Sequence, residues 1–238
     1  MAKHNIILFL KLFPILFVGQ LAAQNSDRQE LIDRYATEYL QSAGSDAALY
    51  YGYQPAPLPA TTNLPYLNKG LDFEKGRLSY NHIIYPEVLL RFDMYRNELI
   101  TKSEYGELVL FPENVDFAEF FGKHIIYFRS DSLPGCPSTG YYFLLNSGKC
   151  KVLEKQTASL SSYSSQSEQY YDIKKTFYLF KDGVYYKITS QKSLLTILQS
   201  YPKELKQFIA SQPWKFKQFP DLIISLTVDE YERLSEEQ

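Results

Sequence analysis

Apolar and polar positions along the chain change period twice, and those changes mark the elements. From Gly76 to Arg129 short aromatic-rich segments alternate and reverse in the manner of an antiparallel β-meander. Its strands are expected at 76–80, 83–85, 88–95, 98–102, 107–111, 115–121 and 124–129. Asn81-His82, Glu104-Tyr105-Gly106 and Gly122-Lys123 stand at the reversals. Val115, Phe117 and Phe121 share one face while Asp116, Ala118 and Phe120 share the other. Aromatic rings on both faces predict a sheet covered by a second sheet layer or by helices. Two more strands are expected at 141–145 and 150–154. Periodicity then fades over Lys155 to Lys175, whose Ser-rich core, 159–167, reads as a mobile surface loop. Thr176–Phe180, Asp182-Gly183 and Val184–Ile188 give the strongest hairpin signal in the chain.

Helical spacing brackets the meander. Ser26 with Gln29 forms a capping-box pattern, and Leu31, Ile32, Tyr35, Ala36, Tyr39 and Leu40 follow at helical intervals. Gln54 to Pro65 then carries four prolines, which forbids helix or central strand and implies an extended connector. From Ser190 the helical period returns, with Pro202 and Pro220 at the starts of two further helices. The expected architecture is α+β: mainly an antiparallel β-meander, as a curved sheet or an open barrel or sandwich, with an N-terminal helix and C-terminal helices.

Residues 1–23 read as a secretory signal peptide. Lys3 supplies the positive start, Ile6 to Val18 the apolar stretch, and Leu21-Ala22-Ala23 the small-residue exit. Lys11 and Pro14 interrupt the apolar stretch, which is too short for the roughly 20 apolar residues of a membrane span. The domain plan is therefore a signal peptide (1–23), an N-terminal helix with its proline-rich connector (24–66), an antiparallel β domain with a Ser-rich loop near 155–175 (67–189), and C-terminal helices packed on it (190–238). An exported protein follows, in the periplasm, associated with the outer membrane or outside the cell. No transmembrane segment is expected once the signal is removed.

Composition refines this plan. Aromatics make up 16% of the chain and hydrophobics 45%, enough for a substantial core. The 25 basic and 27 acidic residues give a net charge of −2. Losing Lys3 and Lys11 with the signal leaves 23 against 27, or −4. No basic stripe follows a phosphate backbone, so nucleic acid is not an expected partner.

Both cysteines, Cys136 and Cys150, fall in the mature chain, and an oxidising compartment makes a disulfide between them a candidate. Register neither requires nor forbids it. With a turn at Ser147-Gly148, Cys150 faces Leu145 and Cys136 lies beyond the pair. A bridge then needs the Leu133-Pro134-Gly135 segment to fold back, to bring the Cα atoms within about 7 Å.

Motifs for chemistry are sparse. Apart from His4 in the signal, His82 sits in a turn and His124 at a strand edge. Neither belongs to a metal-ligand spacing, and no cofactor is expected. Carboxylates at Asp93, Glu98, Glu107, Asp116 and Glu119 are expected as ordinary strand-end and surface charges. Tyr141, Tyr142, Tyr185 and Tyr186 could form a sugar-stacking platform but suit a β core equally. Trp214, beside Pro213, reads as a packing wedge. No enzymatic constellation is expected.

Several patterns taken together resemble an uncharacterised group of exported proteins from Bacteroidota. They are Leu49-Tyr50-Tyr51-Gly52, Gly76-x-x-x-Tyr80-Asn81-x-x-x-Tyr85, Val88-x-Leu90-x-x-Asp93 and Glu98-Leu99-Ile100. Asp182-Gly183-x-x-Tyr186, Lys192-Ser193-Leu194-Leu195 and Glu204-Leu205-x-x-Phe208-Ile209 continue the likeness. His82 replaces the turn glycine expected after Asn81. These motifs are turns, core positions and helix faces, so the resemblance implies export and a β-rich fold with terminal helices, and transfers no functional residue. The expected role is a non-enzymatic binding or structural protein of the envelope acting through a protein partner. The alternative is a carrier of a lipid or glycan in the curved sheet, and a hydrolase ranks below both.

Overall fold

The computed structural model describes residues 28, 30–39, 42, 43, 48–104, 106–162 and 168–237. The expected signal peptide and the Ser26–Gln29 cap lie outside these residues, apart from Arg28. The described residues form one open, 11-stranded antiparallel sheet with an N-terminal helix and three C-terminal helices, as the α+β reading expects. The strands are β1 (Gly52–Tyr53), β2 (Glu74–Tyr80), β3 (Ile83–Asp93), β4 (Glu98–Ser103), β5 (Gly106–Leu110), β6 (Val115–Phe120), β7 (Lys123–Phe128), β8 (Gly140–Ser147), β9 (Lys151–Ser162), β10 (Gln169–Lys181) and β11 (Val184–Ile188). Their order across the sheet is β1-β5-β4-β3-β2-β6-β7-β8-β9-β10-β11. The helices are α1 (residues 30–39), α2 (Gln191–Ile197), α3 (Pro202–Ser211) and α4 (Pro220–Glu236).

Two local devices bend the sheet. Gly76 pairs with Val88 and Leu78 with Tyr85, so one residue of β2 stands opposite Pro86 and Glu87 of β3. That bulge is where a proline, which has no N–H for the ladder, is tolerated inside a long strand. A Cβ on Gly76 would lie 2.6 Å from the Glu119 carbonyl oxygen and 2.7 Å from Phe120 Cβ, so only glycine lets β6 approach here. The curl then brings distant strands together. The Ala158 N–H of β9 donates to the carbonyl of Met94 just after β3, at 3.0 Å. The proline-rich connector fills the gap beside that contact. Asn63 accepts from the Tyr171 N–H at 2.7 Å and donates to its carbonyl at 2.9 Å, and the Met94 N–H donates to the Pro65 carbonyl.

Inside the curl Leu78, Tyr80, Tyr85, Leu90, Phe92, Tyr141 and Phe143 are fully buried in one core. Phe92 meets Tyr141 and Phe143 edge-on at 5.7 and 5.8 Å. A second core lies over β8–β11. There Val152, Phe177, Leu179 and Ile188 pack under Leu194, Leu198, Leu205, Ile224 and Val228 of the C-terminal helices.

Three expectations need correction. The segment read as a Ser-rich loop is a hairpin: β9 and β10 pair from Phe180↔Lys151 out to Gln169↔Ser162, with 163–167 outside the described residues. Periodicity hid these strands because polar residues such as Glu154 and Gln156 occupy buried positions. Second, Val115 does not share a face with Phe117, because a register shift opposite Ser79 and Tyr80 turns it inward. Val115, Ala118 and Phe120 are buried, whereas Phe117 stacks on His124 at 5.3 Å beside Arg77. The turn here also falls one residue early, at Phe121-Gly122, both with positive φ. Third, Cys150 does not face Leu145, because Ser147 pairs with Lys151 and places Cys150 within the turn.

The proposed Cys136–Cys150 bridge does not form; both are free thiols. Cys136 lies beside Tyr142 and Tyr185, on the face of the sheet turned away from the helices, and accepts from the Asp131 N–H at 3.3 Å. Cys150 belongs to the helix-covered core, so the two thiols occupy opposite faces.

Candidate functional site

A group of shallow clefts lies where the sheet hands over to the C-terminal helices. β11 ends at Ile188, and Ser190 and Ser193 close a reciprocal cap at the start of α2. The Ser193 N–H donates to Ser190 Oγ at 3.1 Å, and the Ser190 N–H to Ser193 Oγ at 2.9 Å. α2 is short, and Pro202 and Pro220 restart the chain as α3 and α4. Three clefts surround α2. One of about 660 Å³ runs between α2 and α3, past Lys192, Leu195 and Lys206. One of about 530 Å³ lies between β11 and α2, past Tyr186, Lys187 and Lys192. One of about 580 Å³ lies between β10, β11 and the start of α4, past Lys175, Lys187, Phe216 and Lys217. They adjoin one another through shared lining residues, Lys187, Ser190, Gln191 and Lys192.

Charge is the distinguishing property of this corner. Five lysines line the clefts and no carboxylate does. Over residues 187–219 there are six lysines (187, 192, 203, 206, 215 and 217) against one acid, Glu204, in a chain of net charge −2. Lys175 is neutralised from below. It contacts Glu154, which is fully buried, at 3.0 Å, and Asp221 at 3.3 Å; Lys123 reaches Asp221 at 3.5 Å. Burial alone would lower the Lys175 ammonium, but the two carboxylates outweigh it and its pKa is raised. Burial likewise pulls Asp221 upward, and the two ammoniums prevail to hold its carboxyl below the ordinary value. Lys187, Lys192, Lys206 and Lys217 are exposed and make no ion pair among the described residues. Apolar surface borders them: Trp214 is 40% exposed and Phe219 46%.

Residues singled out by sequence lie elsewhere or in structural roles. His82 Nδ1 meets Asp116 at 3.0 Å, and Ser79 Oγ donates to the same carboxylate at 2.8 Å. The Ser79 proton is thus committed to Asp116 and not to the imidazole, the reverse of a nucleophile–base pair. His124 meets Glu119 at 2.8 Å on the outer face of β6–β7. Asp93 is buried and accepts from the N–H groups of Tyr95 and Arg96, fixing the β3–β4 turn. Glu98 accepts from the Tyr53 hydroxyl at 3.0 Å. Glu107 pairs with Arg91. Tyr141 belongs to the inner core. Tyr142 and Tyr185 both pack against Phe128 on the outer face, and Tyr186 lines a cleft. Trp214 is 40% exposed and lies in the connection between α3 and α4, two residues before the cleft residue Phe216.

Sequence reading missed this corner because its lysines are scattered over thirty-one positions, 187 to 217, and no stripe forms along the chain. The available signal was Trp214-Lys215-Phe216-Lys217, an alternation of rings and ammoniums. The chain matches no family model, no curated protein and no solved structure. No helix among the described residues is long and apolar enough to cross a membrane, and no three of their His, Cys, Asp and Glu side chains are placed to hold a metal ion.

Proposed function

We propose that this chain is an exported, non-enzymatic binding protein of the bacterial envelope that acts through a protein partner. One observation carries the reading: the concave, chemically distinctive surface lies outside the roll, at the lysine corner, while fully buried rings fill the roll's interior. A carrier needs an enclosed volume, whereas a docking protein needs exposed concave surface with unpaired charge and apolar anchors. The N-terminal helix adds to this. Ala36 packs inward, but Leu31, Ile32, Tyr35 and Tyr39 stay exposed. Export is part of the same reading and rests on the charged, apolar and small-residue order of residues 1–23.

One feature favours the carrier reading. The hydroxyls of Tyr85, Tyr141 and Tyr171 are buried in the roll without a hydrogen-bond partner among the described residues, and a polar ligand group would satisfy them. Burial pushes the Tyr85 hydroxyl up to about 12. Purification of the tagged chain from its native envelope in mild detergent, followed by native mass spectrometry, separates the two readings. A stoichiometric protein partner is the expected result. Recovery of the chain alone with a bound lipid or glycan would replace the partner reading by the carrier.

A further inference from the structure

We propose that the lysine corner is the docking site for an acidic segment of that protein partner, a stretch of Asp and Glu carrying an aromatic or aliphatic anchor. The inference rests on the partner reading above. Its first support is charge complementarity. Lys187, Lys192, Lys206 and Lys217 line adjoining clefts that no carboxylate lines, and they make no ion pair among the described residues. Lys187 shares one cleft with Lys192 and another with Lys217, and Lys192 shares the third with Lys206, so an incoming run of carboxylates meets a locally positive field.

Shape narrows the occupant to a chain. A bilayer or a nucleic-acid duplex presents a broad surface, whereas clefts of about 530 to 660 Å³ on either side of α2 admit side chains. Every cation at the corner is a lysine, a compact point charge, and residues 130–232 contain no arginine. Exposed Trp214 and Phe219, next to the cleft residues Phe216 and Pro220, supply the surface for an anchor.

The mode of binding follows from the edge of β11. The Tyr185 N–H already donates to the Pro134 carbonyl at 2.9 Å, and the Thr189 N–H to Ser193 Oγ at 2.9 Å. Only Lys187 lies between them on the outward side, too little for a partner to add a strand. The segment is therefore held through its side chains.

The test uses the mature full-length chain and a fluorescein-labelled peptide of mixed Asp and Glu with one central Phe. Controls are the same peptide with Asn and Gln at the acidic positions, and vesicles of phosphatidylcholine with phosphatidylglycerol. The acidic peptide is expected to bind despite the protein's net negative charge, to shift the emission of Trp214, the sole tryptophan, and to weaken as salt is added. K187E/K192E/K206E/K217E is expected to lose at least about tenfold in affinity. K75E/K102E/K151E/K174E, with the same net charge and the changes placed on the sheet, is expected to retain it. Equal loss in both variants, or equal binding of the uncharged peptide, overturns the site. Binding to vesicles and not to the peptide replaces the acidic segment by a membrane surface. If the corner variant retains its native partner in the envelope purification, the site is wrong and the partner reading stands. If the unaltered chain captures no protein, the partner reading itself fails.

Discussion

Arg91 and Lys192 show two uses of positive charge in one fold. Arg91, on β3, is buried between the rings of Tyr66 and Phe73, each 4.3 Å from its guanidinium. It donates to the Leu71 carbonyl at 2.8 Å and pairs with Glu107 on β5. Its charge is consumed in joining the strands to the segment before β2. Lys192 is exposed, lines two clefts and has no ion-pair partner among the described residues. Other lysines on the sheet resemble Arg91 in being matched: Lys75 meets Glu87 at 3.0 Å and Lys174 meets Asp172 at 3.4 Å. A charge already matched inside the fold is a structural part. A charge left unmatched in a cleft is available to something else.

The comparison predicts opposite responses to charge removal. Arg91→Met is expected to destabilise by about 2–3 kcal/mol, since it leaves the Leu71 carbonyl and Glu107 without their donor. Chemical denaturation measures it; a midpoint within error of the unaltered protein would show that the guanidinium is not structural.

Backbone geometry sharpens the contrast within the sheet. Asp182 and Gly183 both have positive φ, 51° and 78°, as the Asp-Gly hairpin signal requires, and Asn81 and His82 repeat the pattern at 52° and 63°. Nothing lies within 4 Å of a Cβ at Gly183, so Gly183→Val acts through the backbone alone and is expected to cost about 1–3 kcal/mol. His82 already bears that strain. Its side chain is 92% exposed, and the ion pair with Asp116 contributes little there, so His82→Gly is expected to stabilise by about 1 kcal/mol. Melting curves of the two variants must move in opposite directions; a shared direction refutes the turn assignment.

These turns mark how far the sequence was legible. Primed turns have a local signature, and so do Pro202 and Pro220 at helix starts, because each depends on the conformational limits of its own residues. The β9–β10 hairpin was illegible because Glu154 and Gln156 read as surface residues. They are buried because Lys175 and Asp221, 21 and 67 positions beyond Glu154, complete their network. The thiols were undecidable for a similar reason, since the position of Cys150 depends on a bulge between Leu144 and Asn146 and that of Cys136 on how the segment before β8 folds back. The lysine corner exists only once β11, α2 and α3 are packed. Local chemistry is visible in sequence, and neutralisation across the fold is not.

Cys150 gives a smaller effect. Burial pushes the Cys150 thiol up to about 11 from its ordinary 9.0, with Glu232 adding to it. A pKa raised on folding means that the native state keeps a proton the unfolded chain releases. That contribution is complete below about pH 9 and is lost as pH rises towards about 11. Cys150→Ala is expected to flatten the stability profile across this window. A variant profile as steep as that of the unaltered protein would place Cys150 outside the core.

The smallest effect is the one that separates the corner from the sheet most directly. If Lys187, Lys192, Lys206 and Lys217 repel one another without compensation, neutralising them cannot harm the fold as Arg91→Met does. Replacing all four by Gln is expected to change stability by less than about 0.5 kcal/mol at moderate salt, the range for exposed substitutions. At low salt the sign becomes informative. Screening reaches only about 10 Å at 0.1 M and weakens on dilution, so repulsion among the lysines grows as salt is withdrawn. The unaltered protein is then expected to melt earlier at low salt, and the Gln variant to be less sensitive. The reverse ordering would mean that these lysines hold carboxylates of their own chain, and they would join Arg91 as structural charges.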